Sequence, residues 1–215
     1  MVEGTSKAEN GVVIHRSWHP VDLQTARQLL AEINPHLQPT PLRPENAQMV
    51  MTTLPFYPNF MIYALTDSSA TPPSTRYILH RSGEVYVMNW TNSVIYEVNK
   101  RAPIRLDRKT GLAYARFFFQ FVRGRHGRFH IAERPSDLHW KGEVDPALRQ
   151  KTESLLLPLQ AGGVDNEGRL QVPTTMIFKG SLVKTVISLA PDGMVDLGDP
   201  DFLLDDLPLL ADEAF

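Results

Sequence analysis

At 215 residues and 24.3 kDa, with 42% apolar and 21% charged residues, the chain has the balance of an ordinary globular protein and can bury a sizeable core without covalent staples. It contains no cysteine, which excludes disulfides, thiolate metal sites, iron–sulfur clusters and a cysteine nucleophile. A net charge of −2 excludes polyanion binding by bulk charge, yet residues 101–134 hold nine Lys or Arg against Asp107 and Glu133, and after Lys184 every charged residue is acidic.

In chain order, residues 1–10 are polar, lack the apolar run of a secretory signal and are expected to form a leader. No window approaches a membrane span, so a cytoplasmic protein that does not contact membranes is expected. "VVIHRSW" predicts a short strand, and His19-Pro20 opens a helix carrying Leu23, Ala26, Leu30 and Ile33 until Asn34-Pro35 ends it. A short helix is expected near Pro44. "FMIYALTD" then has strand length, "SSATPPST" is a loop, and "RYILHR", "EVYVMNW" and "SVIYEVN" predict an antiparallel meander. Asp107 is an N-cap for a helix that Gly124 ends in a left-handed conformation. "RFHIAE" predicts a strand, Asp145-Pro146 begins a helix to about Leu157, and "LQVPTTMIFKG", "SLVKTVISL" and "MVDLG" predict hairpin-connected strands. Together these elements predict an α+β fold, an antiparallel sheet packed against helices with a Phe-rich helix buried at its centre. The expected organisation is a leader at 1–10, one α+β domain at 11–200 and an acidic-hydrophobic tail at 201–215.

The densest chemical signal is "RFFFQFVRGRHGRF". Its phenylalanines fall at helical spacing and predict core, while Arg116, Gln120 and Arg123 share the remaining polar face. Beyond them, Arg123, Arg125 and Arg128 offer planar forks for phosphate or carboxylate, beside Gly124 and Gly127. If "RFHI" is extended, Arg128 and His130 share one face while Phe129 and Ile131 point inward. The candidate anion- or partner-binding residues are therefore Arg116, Arg123, Arg125, His126, Arg128 and His130. The structural alternative is that these arginines complement a helix C-terminus or pair with the acidic tail. His126 and His130, like His15 and His19, are four apart, but no HExxH motif or third ligand accompanies them, so no metal site is assigned. No Walker A, GxGxxG or GxSxG motif is present, no cofactor is implied, and no catalytic residue is identified.

Recognition chemistry without a catalytic set points first to a non-enzymatic binding or adaptor module that engages an anionic small molecule or a protein partner through the Arg/His loop. The alternative is an enzyme that clamps a phosphorylated or carboxylated small molecule with arginines and moves a proton through His126 or His130. Nucleic-acid binding through the basic 101–134 segment ranks third. Homo-oligomerisation is left open.

Overall fold

The computed structural model describes residues 18–210, so the strand expected over 12–18 lies, apart from Trp18, outside the described residues. His19-Pro20 does not open the first helix but forms a two-residue strand, β1 (His19–Pro20). Helix α1 (Leu23–Ile33) begins where a side-chain acceptor first appears: the Asp22 carboxylate accepts from the N–H groups of Gln24 and Thr25, each at 3.0 Å. Asn34-Pro35 ends it as the sequence predicts, in a single 3-10 turn.

No helix forms near Pro44. Residues 47–53 instead make β2 (Ala47–Thr53), which pairs along its whole length with β3 (Met61–Asp67). Strands β4 (Ser74–Arg81) and β5 (Glu84–Val87) complete an antiparallel meander in the order β1-β2-β3-β4-β5. The expected third strand "SVIYEVN" is a helix, α2 (Asn92–Arg101), which buries Ile95, Val98 and Asn99 at intervals that only a helix brings to one face. Tertiary packing overrides the strand preference of its β-branched residues.

Both faces of this sheet are covered, because side chains alternate along each strand. Met49, Tyr63, Leu65 and Ile78 pack with the apolar side of α1, while the directly paired Ile62 and Leu79 face the opposite way, into the main core. There they meet α3 (Arg108–Phe121), capped as expected by Asp107, which exchanges hydrogen bonds with Thr110. Tyr114, Phe117, Phe118, Phe119 and Phe121 are all buried, as their spacing predicts. The ring of Phe117 lies 5.2 Å from that of Phe56 and the ring of Phe121 5.0 Å from that of Tyr77, contacts that dock the helix on the β2–β3 loop and on β4 of the first sheet.

The other side of α3 receives a second antiparallel sheet. It comprises β6 (His130–Ile131), β7 (Leu170–Phe178), β8 (Ser181–Leu189), β9 (Val195–Leu197) and β10 (Asp201–Leu204), in the order β10-β8-β7-β6 with β9 also on β8. Val172, Met176, Val183 and Ile187 join the phenylalanines in one core. The strand expected over "RFHIAE" shrinks to β6, and α4 (Pro146–Ser154), capped by Asp145, stops short of Leu157. The result is an α+β fold in which a Phe-rich helix lies between two antiparallel sheets.

A buried polar chain runs through this core. The Tyr57 hydroxyl donates to Asn99 Oδ1, Asn99 Nδ2 donates to the Tyr114 oxygen at 3.0 Å, and the Tyr114 hydroxyl donates to the Gly193 carbonyl at 2.7 Å. Burial holds both phenols well above the ordinary tyrosine range. Satisfied in this way, the network ties the loop before β3, both central helices and the β8–β9 turn together.

Candidate functional site

The loop after α3 departs from its expected geometry. Val122, at φ −113° and ψ 128°, already leaves the helix as extended chain, so Gly124 does not end it in a left-handed conformation. Gly124 and Gly127 instead exchange backbone hydrogen bonds of 2.9 and 3.2 Å, and the positive φ falls on Gly127, at 132°. This tight hairpin puts Arg125 and His126 at an exposed tip.

The six candidate residues do not form one cluster. Arg128 is only 4% exposed; its Nε donates to the Phe119 carbonyl at 3.2 Å and its Nη2 to the Gln120 carbonyl at 2.9 Å. It satisfies carbonyls that the last turn of α3 leaves unpaired. Arg128 therefore points inward, contrary to the expected alternation, because these carbonyls compensate the buried charge. Phe129 stacks on Phe178 at 4.2 Å, and Ile131 is buried as expected. Arg116 is held by Glu133 through two contacts of 2.7 Å, and Glu133 also accepts from the Leu159 N–H at 2.9 Å. That pair braces α3 against the segments that follow it. His130 is half-buried on β6, its ring 6.3 Å from that of His139, and among the described residues no three His, Asp or Glu side chains converge as a metal site requires.

Arg123 is different. Its N–H donates to the Trp90 carbonyl at 2.8 Å and its guanidinium carbon lies 4.6 Å from the centre of the Trp90 ring. Its Nε is buried and has no hydrogen-bond partner among the described residues. Trp90 itself has φ 65°, a left-handed conformation that a bulky residue seldom adopts. An unusual backbone thus holds an aromatic platform under a guanidinium whose donors are not all used.

Arg123 opens onto a groove of about 680 Å³. One wall is Arg123, Gly124, Gly127 and Arg128; the second is Ile177 with the Lys179-Gly180 turn; the third is Asp206, Leu207, Leu209 and Leu210. Lys179 and Gly180, at φ 50° and 79°, form a two-residue turn of the hand that suits the twist of β7 and β8. Asp206, at φ 55°, is the third non-glycine residue in or beside this groove with a left-handed backbone; Asn59 is the fourth among the described residues. Such conformations cluster where surrounding structure imposes them. Among the described residues, Arg123, Arg125 and Lys179 make no ion pair and Asp206 is the single acid on the groove walls.

The site contains residues outside the six sequence candidates: Trp90, Lys179 and the leucines at 207, 209 and 210. The Gly180 turn was legible, but only the pairing of His130 with Ile177 brings that hairpin beside the arginine loop. The 207–210 segment is tied in by hydrogen bonds from Leu207 to Gly180 (2.8 Å), Lys141 to Pro208 (2.8 Å) and Leu210 to His139 (2.7 Å). Among the described residues, those that line the groove include no His, Ser, Thr or Tyr; they present charge and apolar surface. Among the described residues no helix is long and apolar enough to cross a membrane. No protein-family model, curated protein or solved structure matches the chain.

Proposed function

We propose that this protein is a non-enzymatic binding module whose groove engages an anionic ligand or the acidic surface of a protein partner, with Arg123 as the principal contact. The observation that carries this is the state of Arg123: stacked on Trp90, with a buried Nε that has no acceptor among the described residues. A guanidinium with an unused donor, standing on the groove wall, is suited to pair with a carboxylate or phosphate there. Lys179 adds a cation on the groove wall and the exposed Arg125 one beside it, while Arg116 and Arg128 serve as scaffold. The stacking reduces the rotamer freedom that Arg123 would lose on binding, which favours recognition.

Binding of poly-L-glutamate, followed by calorimetry at low salt, tests this. Arg123→Gln should weaken the complex about tenfold, the loss of one charge-assisted contact. Raising the salt concentration should weaken it further, since the rim charges are screened. Unchanged affinity in a variant with an intact circular dichroism spectrum would remove Arg123 from this role.

A further inference from the structure

The groove joins two chemistries. Arg123 and Lys179 stand on two of its walls, while the third is aliphatic apart from Asp206: Leu207 is buried, Leu209 is half-buried and Leu210 is 43% exposed. We infer that its ligand is an extended segment of a partner protein in which acidic and aliphatic residues alternate. This rests on the binding-module reading and narrows it.

A small inorganic anion would engage the cations and leave the leucines wet, forgoing the burial that contributes most to association. A nucleotide base would need a free aromatic face, but Trp90 carries Arg123 and Phe178 stacks on Phe129. An acidic–aliphatic strand satisfies both walls, because its alternate side chains point to opposite sides. Asp206 sets the register: it repels a carboxylate beside the leucine wall and directs the ligand's acids toward Arg123 and Lys179. The walls are also preformed. The Lys179-Gly180 turn and the hydrogen bonds that hold Leu207 and Leu210 in place leave little of the groove to be ordered when the ligand arrives. A stacked arginine beside leucines has the composition of an interface anchor and its apolar surround.

The test titrates the full chain with an octapeptide alternating glutamate and leucine, with its glutamate-serine and lysine-leucine counterparts, with sodium phosphate and with decanoate. Calorimetry gives the affinities, and leucine methyl resonances locate the ligand. The glutamate-leucine peptide should bind about tenfold more tightly than the glutamate-serine peptide, with shifts at Leu207, Leu209 and Leu210, and the lysine-leucine peptide should not bind. Leu210→Ser should weaken the first peptide and leave the second unchanged; Arg123→Gln should weaken both. Equal affinity for the glutamate-serine peptide, or for phosphate, would overturn the aliphatic requirement while leaving an anion-binding groove. Tighter binding of decanoate would reassign the groove to a fatty carboxylate and overturn the peptide. If no acidic probe binds the folded protein, both readings fall.

Discussion

Arginine, one residue type, meets different ends within thirteen residues of this chain. Arg116 neutralises Glu133, Arg128 closes the carbonyl end of a helix, Arg123 lies on a tryptophan, and Arg125 stands in solvent. Their substitutions should therefore separate. Arg116→Leu removes the guanidinium that binds the Glu133 carboxylate, itself 9% exposed. Because Arg116 is itself partly exposed, the expected loss is about 2–3 kcal/mol, at or just below the lower end of the range for breaking a buried pair. Urea denaturation checks it, and adding Glu133→Gln should recover part of the loss. Arg125→Ala should change stability by less than about 0.5 kcal/mol. Gly193 is a second sensitive position: a Cβ there would lie 2.4 Å from Asn99 Nδ2 and 2.5 Å from Ile104 Cδ1, on a backbone at φ 85°. Gly193→Ala should cost roughly 2–4 kcal/mol in the same assay, since strain and loss of the Tyr114 contact act together.

Among the elements, α3 was the most legible, and the reason is physical. Its cap, its period and its bulk all specify the same helix, so local and tertiary preferences agree. In α2 they conflict: Val94, Tyr96 and Val98 alternate as a strand would, while Ile95, Val98 and Asn99 fit a helix, and contact with the core decides for the second pattern. β2 was missed because its methionines carry little strand preference, and it is extended because β3 pairs with it. The candidate site divides in the same way. Residue types identify the arginines as recognition chemistry, but which one keeps an unused donor depends on Trp90 and on helix carbonyls that only the fold brings near. The weight resting on α3 is measurable: Phe117→Ala, at a fully buried position touching Phe56 and Phe121, should cost about 3–5 kcal/mol by calorimetry. A loss below about 1 kcal/mol would show that this face of the helix is not closely packed.

For the molecule as a whole, burial raises all six tyrosines above the ordinary phenol range, Tyr57 and Tyr114 the most. The folded chain therefore keeps protons that the unfolded chain releases above about pH 10. Stability from this source is fully present below that pH and is lost as pH rises beyond it. Phenolate absorbance and near-ultraviolet circular dichroism, recorded together, should show Tyr57 and Tyr114 ionising only as tertiary structure disappears; ionisation within an intact fold would contradict their burial. The position of α3 between two sheets also bears on biosynthesis. A ribosome extrudes the first sheet and all the phenylalanines of α3 before β7 and β8, the strands that cover the helix's second side, have been made. The nascent protein must pass through a stage with half of its aromatic core uncovered, so chaperone occupancy during translation should peak after α3 emerges and end with the β7–β8 hairpin.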